Sequence, residues 1–325
     1  MTASEAALAV DGLTVGFQTE AGYNRIIEDV SFALGMGRTL GLVGESGSGK
    51  SVTAQAIMRL LPTPPARIES GSVRLGGQEL TGLSERDMRK RRGDQITMIF
   101  QEPMTSLNPT IRVGAQVAEA LTLHRGLSGA AAKARVLETF ATVGIGAGER
   151  RYQQYPHELS GGLRQRMMIA MALVNRPAVL IADEPTTALD VTIQAEILDL
   201  LGGPQRDFGL AILLITHDLG VVGELAHDVA VMYAGRIVEY GPRALVLGKP
   251  RHPYAAALLA AAPARKQKGE RLEAIPGSVP PPGKRGAGCS FADRCARSQA
   301  RCQTERPTDQ LTTDGRRLAC WNPAP

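Results

Sequence analysis

At 325 residues, with 43% hydrophobic and 21% charged residues, the chain is long enough for one large domain or two and has an ordinary globular composition. No apolar run approaches the roughly 18 residues that a membrane span needs, and the opening MTASEAALAV lacks the basic and apolar regions of a secretion signal, so a cytoplasmic protein is expected. The net charge of +5 is unevenly placed: from Gly241 onward there are 15 Lys+Arg against 6 Asp+Glu, while the first 240 residues carry 22 against 26. A basic tail can meet nucleic acid or anionic lipid, or form a solvated surface near a membrane or partner. At 4% aromatic residues the chain is poor in stacking platforms for single-stranded nucleic acid, and none is expected as a partner.

Alternating apolar and polar residues predict a strand over Leu8–Phe17 and another over Asp29–Leu34. Thr39–Val43 is a short apolar strand, followed by a Gly-rich loop and a helix over Lys50–Leu61 that Pro62, Pro64 and Pro65 end. Ser72–Leu75 and Gln95–Phe100 are further strands. Residues 102–166 change character, with Ala-rich helical spacing over Ile111–His124 and Gly129–Val143. Strand-like runs return at Ala178–Ala182, Ala211–Ile215 and Asp228–Met232. Apolar strands alternating with helices predict a mostly parallel sheet covered on both faces. Gly241-Pro242 marks a boundary, beyond which come a short Ala/Leu helix, a Pro/Gly-rich stretch over Pro276–Gly288, and the cysteines.

Gly44-Glu45-Ser46-Gly47-Ser48-Gly49-Lys50-Ser51 fits G-x-x-x-x-G-K-[ST] between a strand and a helix, the context that makes a P-loop. The glycines let successive N–H groups face phosphate oxygens, and the helix N-terminus adds partial positive charge. Lys50 is expected on the β/γ-phosphates of ATP and the Ser51 hydroxyl on Mg²⁺. Val179–Ala182 is an apolar strand ending in Asp183 and Glu184. Asp183 would hold Mg²⁺, mostly through water, and Glu184 would orient or deprotonate the attacking water.

Leu159-Ser160-Gly161-Gly162 resembles the signature of the ABC ATPases. Leu163 stands where Gln is usual, but Gln165 and Arg166 match the continuation. Gln101 is similar to the family's Q-loop glutamine, here also counted with the Mg²⁺ ligands, Ala188-Leu189-Asp190 to its D-loop, and His217 to its switch histidine. The resemblance covers roughly residues 7–245. It implies an α/β fold: a P-loop NTPase (RecA-like) core over 1–101 and 167–240, an antiparallel β subdomain, a helical subdomain over 102–166, and a C-terminal cysteine-containing extension over 241–325. It further implies a head-to-tail dimer in which Ser160, Gly161 and Gly162 bind the γ-phosphate of the partner's ATP. His217 would contact the γ-phosphate held by its own P-loop. An aromatic residue stacks on adenine in this family, with Tyr23 the first candidate and Phe17 the second. Glu102–Pro109 corresponds to the region that receives a coupling helix from a membrane subunit.

All four cysteines follow residue 288, spaced Cys289-x5-Cys295-x6-Cys302-x17-Cys320. In a cytosolic chain they point to metal or redox work rather than disulfides. The gaps are wider than the usual zinc pairs, and four thiolates at irregular gaps can hold an iron–sulfur cluster. The tail, with Arg251-His252-Pro253-Tyr254, resembles that of dipeptide/oligopeptide importer ATPases, some of which carry a [4Fe-4S] cluster on four such cysteines; zinc, empty thiols and disulfides are the other readings. The resemblance implies a peripheral ATPase on the cytoplasmic face of the membrane. Its partners would be a second, paralogous ATPase, two transmembrane permease subunits and an extracytoplasmic substrate-binding protein. Uptake of a related solute such as nickel or a sugar conjugate is the alternative, and a soluble non-transport ABC protein a further one.

Overall fold

The regular pattern at the start of the chain becomes a sheet whose register can be followed residue by residue in the computed structural model. The structure describes residues 6–20, 22–100, 107–185, 191–262 and 274–325, the side chains of 191–199 excepted. Two compact units emerge, one of residues 1–34, 39–81 and 214–325, the other of 35–38 and 82–213.

In the first unit, Ala6–Thr19 lies between Gly22–Gly35 and Ala66–Leu75, and Gln78–Glu79 completes a four-stranded sheet. Ala6–Thr19 and Ala66–Leu75 are antiparallel, with Leu8 opposite Leu75 and Val15 opposite Ile68. Leu8, Leu13, Val15 and Ile27 are fully buried, and a one-residue slip would move such an apolar face into water. A second sheet supplies Thr39–Val43, parallel to Asp228–Tyr233 with Leu40 opposite Asp228 and Val43 opposite Val231. All five residues of Thr39–Val43 are buried, as a strand covered on both faces requires. Arg236–Pro242 then pairs antiparallel with Asp228–Tyr233. Beyond it the C-terminal tail adds Arg317–Leu318 and Gln310–Leu311, so the tail covers an edge that would otherwise be open to pairing.

The tail also enters the core. Phe291 packs against Tyr233 and Tyr254, with ring centroids 5.2 and 5.3 Å away, and these two rings are 4.5 Å apart. Val43, Val231, Val246 and Leu259 belong to the same buried cluster. His252 is buried beside it, and its Nδ1 accepts from the Tyr254 N–H at 3.0 Å, capping the helix Pro253–Ala260. Burial pushes its pKa down to about 3, so the ring stays neutral. The carboxylate of Glu239, fully buried, accepts from the N–H groups of Arg251 (3.0 Å) and His252 (2.8 Å) and from Arg316 Nη1 (2.8 Å).

In the second unit, Ile96–Ile99 runs parallel to Val179–Asp183, and the strand Ala211–Ile215, which begins in this unit, lies next in the sheet. The helices Val113–Arg125, Gly129–Thr142, Gly148–Tyr152 and Gly161–Leu173 surround a core that includes Val117, Leu121, Val136 and Phe140. Among the described residues no helix is long and apolar enough to cross a membrane.

Several elements depart from the sequence reading. The helix predicted over Lys50–Leu61 ends at Ile57, because Arg59 takes a φ of +51° ahead of the prolines. The strand predicted over Asp29–Leu34 extends over Gly22–Gly35. A helix at Glu85–Arg91 was not predicted, although Ser84 Oγ caps it by accepting from the Asp87 N–H at 3.1 Å.

Glu239→Ala would leave the buried Arg316 with Asp314 alone and strip the Arg251 and His252 N–H groups of their acceptor, a change that costs about 3–5 kcal/mol. A thermal melt of the purified chain should show a clear drop in Tm, and an unchanged Tm would count against the network as a stabilising element.

Candidate nucleotide site

The strand Thr39–Val43 delivers the chain to Gly44, whose φ is +155°. A Cβ there would lie 2.2 Å from the Met232 carbonyl oxygen and 3.0 Å from Ser48 Oγ, so the loop can leave the sheet at this place only with glycine. Gly49 has a φ of +109° and starts the helix Lys50–Ile57; a Cβ on it would strike Ile27 and Met232 side chains at 2.8 and 2.9 Å. Between them Ser48 N–H donates to the Glu45 carbonyl at 3.2 Å, and Gly235 N–H donates to the Ser48 carbonyl at 2.7 Å. Lys50 is buried, and its Nζ donates to the carbonyls of Gly44 (2.8 Å) and Glu45 (3.0 Å). Ser48 Oγ is buried with no partner among the described residues. Gly47 turns with φ +77°, Ser46 is exposed and Ser51 half-buried.

In the same unit His217 is exposed at the end of Ala211–Ile215, and Thr216 N–H reaches the Leu42 carbonyl at 3.4 Å. Asp218, next to it, caps the helix Leu219–Leu225 by accepting from Gly220 N–H at 2.8 Å. Tyr23 is 42% exposed, and its ring lies so close over Gly16 that a Cβ there would meet it at 2.4 Å. Partial burial and then the Glu69 carboxylate raise its pKa. Phe17 is half-buried.

In the second unit Asp183 is buried at the end of its strand, and Glu184 follows with a φ of +49°, a conformation a non-glycine residue holds only under constraint. Ser160 Oγ accepts from the Leu163 N–H at 3.4 Å and caps the helix Gly161–Leu173. The cap uses only the backbone of Leu163, so the departure from Gln leaves it intact. Ser160 and Gly161 are exposed at this helix N-terminus, and Gly162 is half-buried. Gln165, buried on the same helix, donates to the carbonyl of Pro185, the residue after Glu184. Gln101 and Asp190, with Ala188 and Leu189, lie outside the described residues, as does most of Glu102–Pro109.

Cys289, Cys295, Cys302 and Cys320 are free thiols. The Cys289 N–H donates to the Cys302 carbonyl at 2.7 Å. Burial raises the Cys320 pKa to about 11, the charges of the other three adding to it; Cys289 and Cys295 are raised chiefly by burial too, with their neighbours adding. The four thiols are thus within electrostatic reach of one another. They do not form a ready set of ligands: among the described residues no group of three or more His, Cys, Asp or Glu is placed to hold a metal ion.

Several of the tail's arginines pair with carboxylates. Arg294 pairs with Glu45, Arg301 with Glu305, Arg306 with Glu28, and Arg316 with Glu239 and Asp314. Arg285 donates to the Ile26 carbonyl at 2.9 Å. The sequence reading missed Glu45, Tyr254 and Arg294 as parts of this site. Nothing local links Tyr254 and Arg294 to the loop, since they reach Glu45 from 209 and 249 residues away.

Comparison with known proteins places this geometry. The family described as ABC transporter matches residues 27–187. The dipeptide transport ATP-binding protein DppD of Bacillus subtilis is 46% identical over 317 residues, 98% of this chain and 95% of that protein. This chain belongs to the dipeptide/oligopeptide ABC ATPase family. The family's oligopeptide/dipeptide transporter C-terminal region matches residues 238–302, and the oligopeptide transport ATP-binding protein OppD of Bacillus subtilis is 53% identical over 274 residues, 84% of this chain and 76% of that protein. A dimeric post-hydrolysis structure of the ATP-binding cassette MJ0796 bound to ADP and Pi superposes with a TM-score of 0.64 at 26% identity, covering 73% of this ABC ATPase and 98% of that chain. The α/β cassette fold expected from the sequence is therefore the fold of this family.

Gly44→Ala should destabilise the chain by about 1–3 kcal/mol, because it adds a side chain against a backbone carbonyl in a left-handed conformation. Chemical denaturation measures this directly. A wild-type midpoint would show that the close approach to Met232 is not binding.

Proposed function

We propose that this ABC ATPase binds and hydrolyses ATP to power uptake of di- or oligopeptides through membrane permease subunits. The observation that carries the reading is the Gly44–Ser51 loop, with its left-handed glycines, its buried Lys50 and its buried, unpartnered Ser48 hydroxyl. The peptide substrate class is supported by the match of residues 238–302 and by the names of the relatives.

In this reading the N–H groups of Gly44, Ser46, Gly47, Ser48 and Gly49 receive the phosphates, and Lys50 turns its ammonium from loop carbonyls to phosphate oxygens. Ser51 and Asp183, with Gln101, offer oxygen donors of the kind Mg²⁺ takes, and the ion would supply charge neutralisation on the phosphates. Glu184 orients or deprotonates the attacking water, His217 steadies the γ-phosphate, and Tyr23 stacks on adenine. Ser160, Gly161 and Gly162, at an exposed helix N-terminus, serve the nucleotide of a second ATPase, with Asp190 at the same junction. That second subunit is proposed to be a paralogue. Two permease subunits and a substrate-binding protein complete the importer, with this chain peripheral on the cytoplasmic face. The division into a core (1–101, 167–240), a helical subdomain (102–166) and an extension (241–325) belongs to the same proposal.

The four cysteines suit a [4Fe-4S] cluster in donor chemistry, being four free thiols within the last 37 residues of the chain. Its role would be structural, holding the tail. Protein purified without oxygen should then contain iron and acid-labile sulfide in equal amounts and absorb broadly in the visible. Stoichiometric zinc without iron would refute the cluster.

Glu184→Gln should retain ATP binding while lowering turnover of the assembled importer on the order of 10²–10⁴-fold. Hydrolysis at the wild-type rate would remove Glu184 from the general-base role. The isolated chain, tested as a strict monomer, should hydrolyse ATP only slowly, because part of the γ-phosphate contacts come from a second subunit; full monomeric activity would contradict the shared site.

A further inference from the structure

The second residue of the phosphate loop is held from three directions. The Glu45 N–H donates to the hydroxyl of Tyr254 at 2.8 Å. Its carbonyl accepts from Lys50 Nζ at 3.0 Å. Its carboxylate takes a two-pronged bond from Arg294, with Nη1 3.1 Å from Oε1 and Nη2 2.9 Å from Oε2. Two of these three partners belong to the C-terminal extension.

Arg294 is built in as a fixed strut. Its side chain is only 6% exposed. All five guanidinium donors are engaged: Nε with the Pro276 carbonyl at 2.7 Å, Nη1 also with the Tyr233 hydroxyl at 3.2 Å, and Nη2 also with the Ile275 carbonyl at 3.3 Å. The guanidinium sits 5.7 and 5.8 Å from the ring centres of Tyr233 and Phe291. A fork–fork pair of this kind sets orientation as well as distance, which a lysine ammonium does not. Tyr254 is as fixed, since it is fully buried and packed on Tyr233.

We propose that Arg294 of the C-terminal extension is a positioning residue for nucleotide binding, setting the phosphate loop through Glu45 and thereby the stance of Lys50. The extension is then part of the ATP site's support rather than an appendage, and its integrity sets nucleotide affinity. Arg294 acts through Glu45 and touches no nucleotide. The proposal rests on Gly44–Ser51 being the phosphate cradle.

The test is titration calorimetry of the full chain with MgADP, together with steady-state ATPase assays of the assembled importer. Arg294→Met should weaken MgADP binding about tenfold and raise the KM for ATP to a similar degree, with kcat at saturating ATP within a factor of about two. Arg294→Lys, which keeps the charge but loses the fork, should fall between wild type and Arg294→Met. Glu45→Ala should also weaken binding, and the double variant should be no weaker than the worse single one, since both remove one contact. MgADP affinity unchanged in Arg294→Met, or effects that multiply in the double variant, would overturn the proposal. So would a loss of kcat at unchanged KM. Should Arg294→Met fail to fold, Arg294→Lys and Glu45→Ala decide by the same readouts. A wild-type chain that does not bind MgADP would instead refute the reading of the loop itself.

Discussion

Phosphate binding by backbone amides needs a loop that turns back on itself at the end of a buried strand, and the approach of Gly44 to the Met232 carbonyl is where this protein meets that need. At a would-be Cβ distance of 2.2 Å no side chain fits. The turn is possible because Thr39–Val43 and Asp228–Tyr233 are neighbouring parallel strands whose C-terminal ends lie side by side. The same neighbour supplies Tyr233, the base on which the tail's Phe291 and Arg294 settle. The loop, the strand beside it and the tail therefore form one mechanical unit.

The tail shows how charge and shape combine. By composition it is a basic segment with few apolar residues between its cysteines. In the folded chain its arginines meet carboxylates and carbonyls of the preceding residues: Glu45, Glu239, Glu28 and Ile26. Charge-assisted bonds to carboxylates already in place anchor a segment that could not build a core alone. Phe291 joins the buried cluster, and Ile275, Val279, Cys289 and Cys295 pack against it. The four thiols are gathered by this scaffolding to within reach of each other's charge, yet not into a ligand set.

Much of the architecture could be read from pattern. Thr39–Val43 and Ala211–Ile215 were bounded to the residue, because short apolar runs between glycines and polar turns have few other solutions. The phosphate loop was legible from spacing, since the left-handed turns demand glycine at set places. Less legible was Glu85–Arg91, whose only signal is a Ser84 cap ahead of a charged helix with a single buried residue, Met88. The helix after the loop was overextended because apolar spacing runs on to Leu61, whereas Arg59 has already left the helical region.

By itself, then, the sequence determined the local features on which the nucleotide proposal stands: which glycines turn, which lysine opens the helix after the loop, which acids end a strand. These are local properties, written within a few residues of one another. Only the tertiary structure decided what holds Glu45. Tyr254 and Arg294 stand 209 and 249 residues away, and no periodicity or spacing links them to the loop. Their meeting depends on the sheet carrying Tyr233 beside the loop and on the tail folding back over it, a consequence of packing that no local pattern encodes.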